Sequence, residues 1–163
     1  MLNIAEYYNP HHGQLPIHKS NAKIKVVETA RRFGKSRAAL GELMMAYIDT
    51  MSKKYNPTLI PPFHAWVVVP NFSQGKQAWN ELLALIPNDL IYSYREDDKE
   101  LRLKGFRHPN DYGFVEVKSA HDPESLQTVG LDFLWVNEAQ DIPPIAFQKL
   151  CLSLTLQADL EEQ

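Results

Sequence analysis

The chain has 163 residues, ordinary apolar and charged content and a formal net charge of −3. That suits one domain with a real core and excludes a polycation built to bind nucleic acid through its whole surface. No apolar run is long enough to span a bilayer, and "MLNIAEYYNPHHGQ" lacks the basic-then-apolar layout of a signal peptide. Cys151 is the only cysteine, so no intrachain disulfide can form, and a cytoplasmic location is the default expectation.

Met1 to Ser20 is rich in Pro, His, Asn and Tyr and reads as an irregular lead-in. "KIKVVET" (Lys23 to Thr29) reads as a short strand that stops at "ARRFGKSR". A long helix follows, with Leu40, Leu43, Met44, Tyr47, Ile48 and Met51 on one apolar stripe. "NPTLIPP" (Asn56 to Pro62) breaks the chain, and "AWVVV" (Ala65 to Val69) is apolar on both faces, as a buried parallel strand would be. A second helix turns Trp79, Leu82, Leu83 and Ile86 inward and closes at Pro87. "LIYSYRE", "ELRLKGF" and "GFVEVKS" alternate and form a small antiparallel excursion around residues 90–118, with "HPND" as a turn. "LDFLWV" (Leu131 to Val136) is another buried strand, and Pro143 and Pro144 open a last helix. The order predicts a three-layer α/β fold with a mainly parallel sheet; together with the Gly-Lys-Ser loop between the first strand and the first helix, the expected type is a P-loop NTPase (ASCE or RecA-like).

The chemistry concentrates at residues 29–37. A phosphate loop points consecutive backbone N–H groups into one concavity at a helix N-terminus. Here Gly34 supplies backbone freedom, Lys35 reaches the β- and γ-phosphates, and the Ser36 hydroxyl is placed to ligate Mg²⁺. Thr29 stands where the usual pattern has its first glycine. Of the two arginines inside the loop, Arg31 is the one expected to face the γ-phosphate and the charge that develops during its transfer. Arg32 is expected to have the more structural role. Ala30, Arg31, Arg32, Gly34, Lys35, Ser36 and Arg37 form the candidate nucleotide contacts. From Lys19 to Arg37 the only acid among seven cations is Glu28, a local charge suited to phosphates.

The second half of the site is "FLWVNEAQD". Glu138 is the candidate catalytic carboxylate, a general base or water-orienting group. Asn137 occupies the metal-side position, with the shape of aspartate but not its charge, so hydrolysis is expected to be weakened. Asp132 and Asp141 are poorly placed to compensate. Gln14, ahead of the first strand, is a candidate for two hydrogen bonds to an adenine edge.

Taken together, "YYNPHHGQLPIHKSNAKIKVVETARRFGKSRAA", "VVVPNFSQGKQAWNELLALIP" and "SAHDPESLQTVGLDFLWVNEAQD" resemble the N-terminal ATPase domain of the large terminase subunit of tailed bacteriophages, over nearly the whole chain and in the same order. The resemblance implies ATP with Mg²⁺ at the loop, Gln14 at adenine, Arg31, Gly34, Lys35 and Ser36 at the phosphates, and Glu138 as catalytic acid. It implies partners too: double-stranded DNA, a capsid portal and a small terminase subunit, with a ring as the working assembly. On this reading residues 1–163 are a partial ATPase domain, with 1–22 a lead-in carrying the adenine motif and 23–163 the core. The family's coupling motif and its nuclease domain are absent from the sequence, and the coupling strand would lie between the phosphate-loop strand and the Glu138 strand. The expected consequences are a gap in the sheet and poor stability of the chain alone. Two further readings compete: a helicase-type ATPase, since "NEAQ" is similar to the helicase Asp-Glu-Ala box, and a catalytically impaired prophage remnant that binds nucleotide or protein.

Overall fold

The run Phe63–Val69 is buried at every position but one, because it lies in the middle of a sheet covered on both faces. A computed structural model describes residues 7–53, 63–105, 112–126 and 129–161. In chain order these hold α1 (Leu15–Lys19), α2 (Lys35–Lys53), β1 (Phe63–Val69), α3 (Phe72–Leu85), β2 (Ile91–Arg95), β3 (Glu100–Lys104), β4 (Tyr112–Ser119), β5 (Phe133–Val136) and α4 (Pro144–Glu161). The sheet order is β2-β3-β4-β1-β5. β1 runs parallel to both β4 and β5, with Ala65 opposite Val115 on one side and Phe133 on the other. β3 pairs antiparallel with β4 and with β2, which is the expected small excursion.

Alternation along β1 sorts its side chains into two cores. Phe63, Ala65, Val67 and Val69 join Leu43, Tyr47, Trp79, Leu82, Leu101, Leu103, Val115 and Val117 under α2 and α3. Trp66 and Val68 join Leu126, Leu131, Ile142, Ala146 and Leu150 on the other face, which α4 covers. The result is three layers. The helical stripe read from the sequence is the buried one: Leu40, Leu43, Met44, Tyr47 and Met51 lie in the core, and Ile48 packs against it. At Gly113 a Cβ would stand 3.1 Å from Phe63 and from the Tyr47 ring, so glycine is what lets β4 approach both. α3 begins at Asn71, whose side chain accepts the Gln74 N–H, a regular N-cap.

The expected strand at Lys23–Thr29 does not form. Residues 23–30 pair with no strand, and Ile24 and Val26 are exposed. The physical reason is the lack of a partner: a strand exists through its ladder, and β-rich composition alone does not create one. The far edge of β5 carries no strand among the described residues, so the sheet ends there, and the gap expected between a phosphate-loop strand and the Glu138 strand does not arise because the first of those strands does not form. α4 continues to Glu161, through a tail that had shown little pattern. The chain break at Asn56–Pro62 and the His108–Asp111 turn lie outside the described residues.

The sheet face away from α2 and α3 carries a charge cluster. Glu116 accepts from Trp66 Nε1 at 2.9 Å and pairs with His64 Nε2 at 2.6 Å and Lys118 Nζ at 2.5 Å. Burial works to raise the Glu116 pKa, but the hydrogen bonds from His64, Lys118 and Trp66, with the Lys118 charge, outweigh it and hold the carboxyl at about 2. A depressed carboxylate contributes stability that is complete above its unfolded pKa and is lost as pH falls through the folded one. Urea denaturation at a series of pH values should therefore show stability falling from about pH 4.5 towards pH 2. Glu116→Gln should flatten that slope and destabilise the chain at neutral pH, and an unchanged slope would refute the assignment.

Candidate phosphate-binding site

Only backbone geometry makes "ARRFGKS" a site. Residues 31–34 turn sharply, closed by the Phe33 N–H to the Ala30 carbonyl at 3.4 Å, and α2 starts at Lys35. Arg32 and Gly34 both adopt positive φ, at 64° and 88°. At Gly34 the conformation and the space agree: a Cβ would meet Gln14 Nε2 at 2.9 Å. Ala38 N–H returns to the Gly34 carbonyl and begins the helical ladder. The N–H groups of Gly34, Lys35, Ser36 and Arg37 meet no acceptor among the described residues, and no acid sits in the first turn of α2. Four consecutive donors at the positive end of a 19-residue helix form an anion cradle.

Lys35 folds back along the loop, its ammonium donating to the Thr29 carbonyl at 3.2 Å. That spans the concavity from the helix start to the position of the unusual threonine. Ser36 is half-buried in the first helical turn. Ala30, Arg31 and Arg32 are exposed, and neither arginine has a hydrogen bond or ion pair among the described residues. Arg37 lines a small cavity with Tyr7, Tyr8, Leu40 and Gly41, on the lead-in side of α2.

The other half of the site arrives from β5. The strand places Phe133 and Trp135 in the core beneath α2 and α3, and Leu134 and Val136 in the core beneath α4. Asn137 N–H closes the strand on the Val68 carbonyl at 2.8 Å. Glu138 then turns out of line in the left-handed region, φ 51°, which strains a non-glycine residue and lifts its carboxylate into solvent. Gln140 Nε2 holds that carboxylate at 2.7 Å. Asp132 is at the opposite end of β5, where it accepts the His64 N–H, and Asp141 is exposed in the turn after Glu138.

α2 packs on both β1 and β5. Tyr47, near its C-terminal end, contacts Phe63, the first residue of β1. Twelve residues of helix rise ~18 Å and seven of strand ~23 Å. The Lys35 end of α2 therefore lies toward the C-terminal ends of β1 and β5, the edge from which Glu138 projects.

The lead-in is tied to this machinery by contacts that sequence reasoning did not anticipate. His18 Nδ1 meets Glu42 of α2 at 2.6 Å, Tyr8 OH meets the other His18 nitrogen at 2.8 Å, and Lys25 reaches Glu42 at 2.5 Å. Gln14 is only 3% exposed, and its amide touches the loop itself. The sequence offered no signal for these pairs beyond a histidine-rich lead-in beside a helix bearing two acids, Glu42 and Asp49. Among the described residues no group of three His, Cys, Asp or Glu side chains could hold a metal ion. Any Mg²⁺ here would rest on Ser36, water and nucleotide oxygens, as this ion does in phosphate-binding sites.

A three-layer α/β fold that presents a Gly-Lys-Ser loop at a helix N-terminus is the architecture of the P-loop nucleotide-binding class. Comparison with known proteins narrows it. No family model matches the chain. The terminase large subunits of Thermus phage G20c and Thermus virus P23-45 are each 29% identical to it over 150 residues, covering 83% of this chain and 29% of theirs. The chain thus spans less than a third of the length of these curated relatives. Among solved structures, the large terminase ATPase domain of Thermus phage P74-26 superposes with a TM-score of 0.73 at 22% identity, over 95% of this chain and 62% of that one. An arginine-to-alanine variant of the same domain gives 0.75 at 23% identity, over 93% and 62%. The chain is thus similar in sequence to part of phage large terminase subunits and has the fold of a large terminase ATPase domain.

Proposed function

We propose that this chain is the nucleotide-handling part of a DNA-packaging motor, binding ATP with Mg²⁺ at residues 29–37. The observation that carries the reading is the row of four unpartnered N–H groups, Gly34 to Arg37, with the Lys35 ammonium across the same concavity. The backbone donors and Lys35 would hold the β- and γ-phosphates, and Ser36 would offer its hydroxyl to the metal. Bound there, Mg²⁺ would neutralise charge on the phosphate oxygens. Arg31, exposed and unpaired, is free to swing onto the γ-phosphate. Arg32 and Ala30 shape the loop, and Arg37 adds positive charge at the helix start. Glu138, exposed and held by Gln140, would orient water for attack. Gln14 keeps a second amide hydrogen beyond the one it donates to Gly34, and that hydrogen is its means of reading adenine.

Residues 1–22 then serve as the lead-in and 23–163 as part of the ATPase core, in keeping with the 62% of the solved domain that the chain covers. The partners proposed with it are double-stranded DNA, a portal and a small terminase subunit, with assembly into a ring and a place in the host cytoplasm. Among the described residues no helix is long and apolar enough to cross a membrane. The test is calorimetry with ATP and Mg²⁺, followed by phosphate release from the native chain and from Asn137→Asp. Binding with little turnover, raised at least tenfold by the added charge, is the expected result. Absence of any ATP binding would sink the reading.

A further inference from the structure

His11 and Gln14 grip two consecutive carbonyls of the phosphate loop. His11 Nε2 lies 2.9 Å from the Phe33 carbonyl oxygen, and Gln14 Nε2 donates to the Gly34 carbonyl at 3.0 Å. Both grips are themselves held. Gly13 N–H donates to His11 Nδ1 at 3.1 Å, which makes Nδ1 the acceptor and leaves the ring hydrogen on Nε2, facing Phe33. His11 N–H donates to Gln14 Oε1 at 3.1 Å, which fixes the amide so that its NH₂ faces Gly34. The His11 ring also stands edge-to-face on Phe33, with centroids 5.0 Å apart. At Gly13 a Cβ would stand 3.0 Å from the Phe33 ring, so a side chain there would push against the ring that His11 also contacts.

The consequence follows from peptide planarity. In a trans peptide the carbonyl and the next N–H point in opposite directions. Drawing the Phe33 carbonyl toward His11 turns the Gly34 N–H the other way, and drawing the Gly34 carbonyl toward Gln14 does the same for the Lys35 N–H. Those are the first two donors of the cradle. Nothing else among the described residues holds the Phe33 carbonyl, and the Gly34 carbonyl is otherwise held only by Ala38. The left-handed conformation of Arg32, a non-glycine residue, needs such external support to persist.

We infer that His11 and Gln14 are positioning residues of the phosphate loop, a two-point clamp that orients the Gly34 and Lys35 donors for phosphate whatever base the ligand carries. The inference rests on the phosphate-site reading above and adds to it a role in which Gln14 acts through the loop as well as at adenine. The test uses a ligand that has phosphates and no base. The full chain and its His11→Ala, Gln14→Ala, Gln14→Glu and His11→Gln variants are titrated by calorimetry with ATP and with inorganic tripolyphosphate, each with Mg²⁺. ¹H–¹⁵N spectra report the Gly34 and Lys35 amides.

His11→Ala and Gln14→Ala should each weaken both ligands by a similar factor, about tenfold, the worth of one positioned hydrogen bond. The melting temperature of His11→Ala should stay close to the parent's, since His11 is exposed; Gln14→Ala, at a buried position, should lower it modestly, and its binding is compared below its own melting temperature. The Gly34 and Lys35 amide resonances should be displaced before any ligand is added. Gln14→Glu keeps an acceptor for the His11 N–H, loses the donor to Gly34 and adds a negative charge beside the loop, so it should weaken both ligands at least as much as Gln14→Ala. His11→Gln, whose amide nitrogen reaches as far as the imidazole Nε2, should restore tripolyphosphate binding. Loss of ATP affinity with tripolyphosphate unchanged would confine Gln14 to base recognition and overturn the clamp. Unchanged affinity for both ligands would overturn it as well. A parent chain that binds neither ligand would remove the phosphate site and the clamp with it, an outcome distinct from either of these.

Discussion

Lys35→Ala is expected to lower the affinity for ATP·Mg²⁺ about a hundredfold while leaving the melting temperature within a few degrees. In the free chain the Lys35 ammonium makes one hydrogen bond, to the Thr29 carbonyl, at a partly exposed site. A single neutral acceptor near water contributes about 1 kcal/mol to stability. Against a phosphate chain the same ammonium would make charge-assisted bonds worth about 1.5–3 kcal/mol each, and every 1.4 kcal/mol is tenfold in affinity. The asymmetry between a small folding effect and a large binding effect is the signature of a ligand group. Calorimetry with ATP and tripolyphosphate, alongside thermal denaturation, measures both. A variant that binds as tightly as its parent would remove Lys35 from the site. One that loses several kcal/mol of stability would make it a structural lysine.

Trp79→Ala should cost about 3–5 kcal/mol of folding stability, the usual range for truncating a buried aromatic to alanine. Trp79 is 1% exposed on the inner face of α3, in the core that α2 and α3 share with the sheet. Its ring contacts Tyr94 at 6.2 Å, and the Lys99 ammonium stands 5.9 Å from its centroid, so its loss also loosens the hairpin of β2 and β3. Domains of this size are stable by only ~5–15 kcal/mol, and among the described residues no strand pairs with the outer edge of β5. Urea denaturation should therefore show a sharply lower midpoint or a chain unfolded in buffer. Trp79→Phe should cost much less, because the indole N–H is buried with no hydrogen-bond partner and its removal strands no acceptor. Equal costs for the two substitutions would mean that the N–H, not the ring, holds the core.

The elements legible in the sequence were those whose pattern is enforced by burial. The stripe from Leu40 to Met51 could satisfy only a helix, and Ala65–Val69, apolar at every position, could satisfy only a strand covered on both faces. The Gly-Lys-Ser turn was legible because its chemistry lies in adjacent residues. Lys23–Thr29 was misread for the converse reason. Its composition suits a strand, but a strand is a relation between segments, and no partner stands beside it. Asn137 and Glu138 were readable as a strand end. The left-handed turn at Glu138, and the Gln140 contact that holds its carboxylate, were not.

By itself, then, the sequence determined the three-layer α/β order, the Gly-Lys-Ser turn at the start of a helix, and the carboxylate at the end of a buried strand. Each is written locally, in periodicity or in a short run of residues. Only the tertiary structure decided that His11 and Gln14 reach the Phe33 and Gly34 carbonyls, that Glu42 gathers His18 and Lys25, and that β5, among the described residues, pairs with β1 alone. Those contacts join residues about 20 apart in sequence, or strands on either side of a crossover. Their side chains carry no periodic signal, so chain folding alone brings them together.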